Sequence, residues 1–361
     1  MPGPFDAFQD AGLARSIVQE IHRVQPGAAV KLMHVCGTHE NAIALHGLRG
    51  LLPDWLKVIA GPGCPVCVCP ASDIQMAVDL ALTRSVVVAT FGDMFRVPAR
   101  MSLSEAKAQG GDIRVVFSVM DAVDLARREP DREVVFFAVG FETTAVTTAA
   151  AATGDVPANF SLLVSHRTIP TALSALLATP DIGVAGFLLP GHVITVMGTA
   201  DYEELASRDR VPVAVGGFEP VDVLLGILEL ARMVAAGKPA LVNCYRRAVR
   251  PEGNRKALAA LAHAFEACDA HWRAIGSIPG SGLALRPELS RLDAQKRFGL
   301  VPDLALEEVR PGCSCGAVML GKVEPSECPL FAKGCTPVRP YGPCMVSMEG
   351  TCRNAYKYRS V

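Results

Sequence analysis

Long apolar runs are missing from this sequence: none of its 361 residues belongs to a stretch that approaches the length needed to span a bilayer. An excess of one charge is missing too. Lys and Arg number 35 against 36 Asp and Glu, so nothing in the composition marks a surface for nucleic acid or another polyanion. Aromatics are scarce at 6%, and the apolar half of the chain is rich in Ala and Val, which suits close packing of helices on sheets. The opening MPGPFDAFQDAGLARSIVQEI carries acids early and no continuous apolar core, so no secretory signal is expected. A cytoplasmic protein is expected, and there structural disulfides are rare. Its cysteines are then metal ligands or redox-active thiols.

Cysteine is what the chain has in plenty. Six of its twelve lie between Cys313 and Cys352, and three more crowd into GPGCPVCVCP at 61–70. The tail, PGCSCGAVMLGKVEPSECPLFAKGCTPVRPYGPCMVSMEGTC, has few apolar residues to bury and no sustained helical or strand period. Such a segment folds by cross-linking, through disulfides or through a metal. It lacks the paired C-x-x-C repeats of zinc ribbons and the C-x₂-C-x₂-C run of bacterial ferredoxins. Cys313, Cys315, Cys328, Cys335, Cys344 and Cys352 exceed the need of one [4Fe–4S] cluster by two, which reads as a cluster beside a redox pair. A zinc-stapled domain is the alternative.

From about 30 to 245, short apolar runs alternate with helical patterns. Strands are expected at 30–35, 56–61, 85–91, 113–118, 133–140, 159–165, 184–189, 211–217 and 239–243. Helices are expected at 72–83, 102–109, 120–129, 142–152, 168–178 and 220–236. Ser102 with Glu105 makes a capping box, and Ser118 or Asp121 opens the next helix. Apolar strands alternating with helices predict α/β units with parallel sheets, two smaller sheets fitting better than one large one. AVGFETT (138–144) and VGGFEPVD (215–222) echo each other, each following a strand and leading into a helix. Residues 246–276 read as helical, followed by a loop-rich IPGSGLALRPEL. The expected units are 1–118, 119–245 and a helical, loop-rich 246–361.

Three groups could carry chemistry in the first two units. HVCGTHE (34–40) follows a strand, so Cys36 would emerge at the carboxyl end of a sheet, where open α/β folds bind ligands. Thr38 is expected to cap a helix starting near Asn41, and a thiol at a helix N-terminus gains thiolate character. His39 is a base, a proton donor or a metal ligand; the plainer reading is a buried Cys with a His satisfied by backbone. In GPGCPVCVCP, Cys64 and Cys67 form a C-x-x-C behind a Gly-Pro-Gly turn, able to share one metal or close a small disulfide ring. Cys69, if strand-like, shares a face with Cys67. Cys36, Cys64 and Cys67 would make a three-thiolate site with one open position, suited to iron, zinc or copper(I). Lastly, Glu142 with Thr143 and Thr144, Ser165-His166-Arg167 and Gly191-His192 follow strands and suggest polar groups along one sheet edge, although each alone reads as a cap or a structural His.

CGTHE, GPGCPVCVCP, GFETT, LLPGHV, EGN at 252–254 and GPCMVSMEGTC together closely resemble the HypD family of [NiFe]-hydrogenase maturation proteins, from about residue 10 to 358. The resemblance implies two similar parallel-sheet α/β domains plus a C-terminal cysteine-rich [4Fe–4S] domain. It implies a scaffold and electron donor for the Fe(CN)₂CO unit, working with a HypC-type chaperone and receiving cyanide from a HypE-type donor, whose carbamoyl groups come from HypF. It places the iron-binding thiols at Cys36, Cys64 and Cys67, with His39 in the first motif and the cluster in the tail. Within the tail we assign Cys313, Cys328, Cys335 and Cys352 to the cluster, and Cys315 with Cys344 to the redox pair. Cys36, His39, Cys64, Cys67 and Glu142 are the candidate catalytic residues. Cys69, Cys244 and Cys268 lie outside these assignments. The competing function is a [4Fe–4S]-dependent thiol–disulfide reductase that carries no further iron, and a third is a zinc-stapled interaction scaffold.

Overall fold

The computed structural model describes residues 6–179 and 181–359. Nine strands alternate with helices, as the apolar runs predict, and they divide between two parallel sheets. β1 (Val30–His34), β2 (Leu56–Ala60), β7 (Gly186–Pro190), β8 (Val213–Gly216) and β9 (Leu241–Asn243) form sheet A, in the order β2-β1-β7-β8-β9. β3 (Val86–Thr90), β4 (Ile113–Val115), β5 (Glu133–Gly140) and β6 (Phe160–His166) form sheet B, in the order β4-β3-β5-β6. Every pairing in both sheets is parallel.

The sheets cut across the contiguous units expected from the sequence. The chain lays down β1 and β2 in sheet A, builds the whole of sheet B, and returns to sheet A at Gly186. A boundary at 118/119 therefore falls inside sheet B. The reason lies in register: β7 pairs with β1 through Leu32 opposite Gly186 and Met33 opposite Phe187. A Cβ at Gly186 would press on Pro212 O and on the ends of Leu32 and Leu230, so the glycine lets the two strands pair without displacing them.

Alternation sorts the strand side chains into two layers. Leu32, Val58, Leu188 and Ala214 face the helices Ala11–Arg23 and Pro220–Ala236 on the outer side of sheet A. Met33, Ile59, Phe187 and Val213 join Val88, Val135, Phe137 and Leu163 of sheet B in one continuous central core. The cysteine-rich tail belongs to that core through Cys315, Val318, Met319, Cys344 and Met345.

The expected capping box of Ser102 with Glu105 is present, and of the two candidates Ser118 opens the next helix, with Asp121 completing a second box. One helical expectation fails. The helix Arg255–Ala264 stops where β10 (Phe265–Trp272) begins, and β10 pairs antiparallel with β11 (Gly276–Leu285). Burial overrides the Ala-rich helical propensity here. Phe265 packs on His166, Trp272 tilts over Phe141 with ring centroids 5.9 Å apart, and its Nε1 donates to Ser281 Oγ at 2.8 Å. The stretch expected to be a loop supplies the partner strand. Among the described residues no helix is long and apolar enough to cross a membrane.

Candidate functional site

The two cysteine motifs emerge side by side because β1 and β2 are neighbours in exact parallel register, His34 opposite Ala60. Cys36 is the N-cap of the helix Gly37–Leu45, which starts earlier than the expected Asn41 and places Thr38 inside its first turn. Gly61 N–H donates to His34 O at 2.8 Å, and Gly37 N–H donates to Gly63 O at 3.2 Å, stitching the loops together. A Cβ at Gly63 would collide with the backbone of Val35 and Cys36. Gly63→Ala should therefore push the loops apart and cost about 1–3 kcal/mol, the usual overpacking range. A thermal melt of Gly63→Ala coinciding with wild type would show that the loops tolerate separation.

Cys64 caps a single helical turn, Pro65–Val68, and its Sγ accepts the Cys67 N–H at 3.2 Å. The turn fixes Cys64 and Cys67 as a pair. It also corrects the expectation for Cys69, which is the C-cap of a helical turn and no partner of Cys67 on a strand face. The Cys69 sulfur lies 3.5 Å from Ser165 Oγ, which donates to Asp73 at 2.6 Å. Arg167 donates to the same carboxylate at 3.0 Å and closes that cluster.

Burial governs the acid–base state of these thiols. It pushes Cys36 up to about 12, outweighing the backbone N–H groups of His39 and Thr38 that favour the thiolate, and nearby Glu349 adds to the rise. The helix N-terminus alone had suggested the opposite. Cys67 is driven well up by burial, partly opposed by its hydrogen bond with Cys344. His39 is fully buried, and burial, with His34 close by, lowers it to about 3. The neutral ring donates from Nε2 to Gly217 O at 2.9 Å and lies against Phe218, while Nδ1 has no partner. Behind it, Glu40 binds His34 Nε2 at 2.8 Å and Arg49 Nη2 at 2.6 Å. Burial alone would raise this carboxyl, but Arg49 and His34 hold it down at about 2. HVCGTHE thus supplies its own buried brace, His34 with Glu40, a role that its two outer residues do not announce.

The tail folds back over both motifs. The turn Pro343–Val346 packs on Pro65–Val68, and the helix Thr351–Lys357 packs on Gly37–Leu45, where Asn41 Nδ2 donates to Asn354 Oδ1 at 2.8 Å. Glu349 covers Gly37 so closely that a Cβ there would strike it. Cys313, Cys315, Cys328, Cys335, Cys344 and Cys352 all line one cavity, with a volume of about 10 Å³ in this conformation. Cys315 and Cys344 are buried with their sulfurs 2.9 Å apart, and Cys344 also lies beside Cys67 and Cys352. A continuous line of thiols therefore runs from Cys64 through Cys67, Cys344 and Cys315 to Cys313.

Among the described residues, no three His, Cys, Asp or Glu side chains are grouped to ligate a metal ion as they stand. The donor set nonetheless fits an iron–sulfur cluster in kind: six soft sulfur donors line one small cavity. The space among them holds about one water, so binding a cluster requires the thiols to swing outward.

The other polar residues divide. His166, at the end of β6, bonds Thr148 on the helix Glu142–Ala152, and Arg167 holds Asp73 and His271 O, so both have structural partners. His192 lies against Phe218 on the side of sheet A. Glu142 is not with the thiols: it lines a separate cavity of about 580 Å³ whose walls contain no cysteine. Sequence reasoning also missed Arg273, whose guanidinium donates to Cys69 O, Pro98 O and Glu308 O. Nothing in the sequence around Arg273 signals that role.

Comparison with known proteins identifies the family. The model of the hydrogenase formation hypA family, HypD, matches residues 12–359. Hydrogenase maturation factor HypD of Rhizobium leguminosarum bv. viciae is 43% identical over 366 residues, covering 98% of this chain and 94% of its own. The factors of the same name from Rhodobacter capsulatus (43% over 364 residues, 97% of each chain) and Cupriavidus necator (42% over 370 residues, 98% of this chain and 96% of its own) are similar throughout. With family match and relatives both spanning nearly every residue, the chain belongs to the HypD family of hydrogenase maturation factors.

Proposed function

We propose that this protein assembles the Fe(CN)₂CO unit of [NiFe]-hydrogenase, with iron as its cargo on Cys36, Cys64 and Cys67. The observation that carries the reading is the unbroken line of thiols between the second motif and the tail. A HypC-type chaperone shares the cargo and a HypE-type protein donates cyanide. Cys313, Cys328, Cys335 and Cys352 would hold the [4Fe–4S] cluster, which when bound supplies electrons one at a time. Cys315 and Cys344 are then the pair between cluster and motif, a partition supported by their contact with each other and with Cys67.

The chain's own chemistry is thiol–disulfide exchange. A Cys64–Cys67 disulfide is a poor metal ligand, and reducing it restores two sulfur donors. Cys344, as thiolate, attacks Cys67 Sγ; the Cys64–Cys67 bond breaks, and Cys64 leaves as thiolate and takes a proton. Cys315 then attacks Cys344 Sγ and frees Cys67, so the second motif becomes a dithiol while Cys315–Cys344 becomes the disulfide. Cys67 is raised chiefly by burial, and Cys344, though Cys315 favours its thiolate, is raised on balance by Cys352, Cys67 and burial, so exchange is slow until a proton is removed.

Removing the resolving thiol should trap the intermediate. Cys315→Ser, oxidised mildly and digested, should yield a Cys67–Cys344 cross-link between peptides of the second motif and the tail. Mass spectrometry finding Cys64–Cys67 alone, with Cys344 fully alkylated, would rule out the exchange.

A further inference from the structure

Glu142 is a deeply buried acid that lines an open cavity away from the thiols. It is 1% exposed, its Oε1 accepts the Ile169 N–H at 2.7 Å, and its Oε2 has no partner. The cavity, about 580 Å³, lies between the helix Ile169–Leu177, the helix Ala200–Arg208 and the stretch Ile278–Gly280 of β11. Its walls are largely apolar, with Met197, Leu205 and Ile278 prominent, and its rim carries Asp201 and Glu204. Arg208 is the one cation among the described lining residues, and it is already committed: it donates to Asp209 at 3.0 Å, to Ser174 Oγ at 2.6 Å, and lies 3.8 Å from Glu204.

A largely apolar cavity lined by an unpartnered buried carboxyl and by two exposed acids has the complement of an alkyl stem bearing a cation. We propose that this cavity binds a primary ammonium or guanidinium on an alkyl chain, with Glu142 Oε2 as its acceptor. The ligand supplies what the fold leaves out, an N–H donor and a positive charge for a carboxylate that would otherwise be desolvated alone. The site is independent of the thiol chemistry, and its failure leaves the assembly reading untouched.

Burial raises Glu142 to about 7, with Asp201 adding to the rise. The groups facing it from the packed helix are Asp201, Tyr202, Glu204 and Arg208, and the Ile169 helix presents the backbone N–H. Deprotonation creates the charge that the ligand needs, so affinity should rise as pH passes upward through about 7.

The test uses the full chain and saturation-transfer NMR, with n-propylammonium and methylguanidinium as probes and n-propanol as the neutral isostere. The cations should bind and propanol should not, and Glu142→Gln should weaken cation binding at least tenfold at pH 8 and abolish its rise with pH. Nα-acetyl-lysine-N-methylamide separates the sources: binding much tighter than propylammonium marks a Lys or Arg side chain of a partner, equal binding a free amine. Propanol saturating as strongly as the cations, or Glu142→Gln binding like wild type, overturns the proposal. Should Glu142→Gln fail to fold, the pH profile of the wild-type chain carries the test, and cation affinity that does not rise between pH 6 and pH 8 overturns the proposal equally.

Discussion

Cys36→Ala is expected to abolish hydrogenase maturation while leaving the protein folded. Cys36 makes no side-chain cap bond to its helix, and the loop around it is held by backbone: Val35 N–H to Leu188 O, Gly37 N–H to Gly63 O. Trimming the thiol removes a small buried group, for which a loss of about 1 kcal/mol is ordinary. It also removes the sulfur that stands alone on the first motif, and Cys64 and Cys67 cannot supply a third. Cells carrying Cys36→Ala should show background levels of mature hydrogenase, with the purified variant melting within a few degrees of wild type. Normal maturation from that strain would remove Cys36 from the site.

Arg273→Ala should give the largest loss of stability. The side chain is 1% exposed and joins three segments distant in sequence by donating to the carbonyls of Cys69, Pro98 and Glu308 at 2.7, 3.0 and 2.9 Å. Its own N–H donates to Val68 O at 2.9 Å and seats the hairpin turn on the second cysteine motif. Alanine leaves three carbonyls without a donor, and each such loss costs on the order of 1–3 kcal/mol. A total of at least about 3 kcal/mol, or a melting temperature lower by about 5 °C or more, is expected. The same opening should make Cys67 and Cys69 react faster with an alkylating agent. A variant that melts with wild type and keeps both thiols protected would show that Arg273 does not hold the motif.

Much of the fold was legible because parallel strands buried on both faces write themselves as apolar runs, and SVVVATF and EVVFFAVG do so plainly. Which sheet a run enters is not written locally. β2 and β3 are similar runs, yet one pairs with β1 and the other with β5, a choice made by packing between layers. β10 was hidden because Ala267 and Ala270 follow a genuine helix and its partner, GSIPGSGLAL, looks like a loop. The site divides in the same way. Spacing exposed the C-x-x-C pair, and the helical turn that holds it follows from Pro65 at its first position. Spacing could not show that Cys69 turns to Ser165, that Cys36 is too buried for a helix N-terminus to lower it, or that Glu142 faces a different cavity.

The most direct measurement is iron content with infrared spectroscopy on the protein purified without oxygen together with the proposed HypC-type chaperone. The assembly reading predicts more iron than one [4Fe–4S] cluster accounts for, with CO and CN stretching bands that disappear in Cys36→Ala. Cluster iron alone, without those bands, would contradict it and leave a thiol–disulfide reductase. A colourless, zinc-containing protein would contradict both.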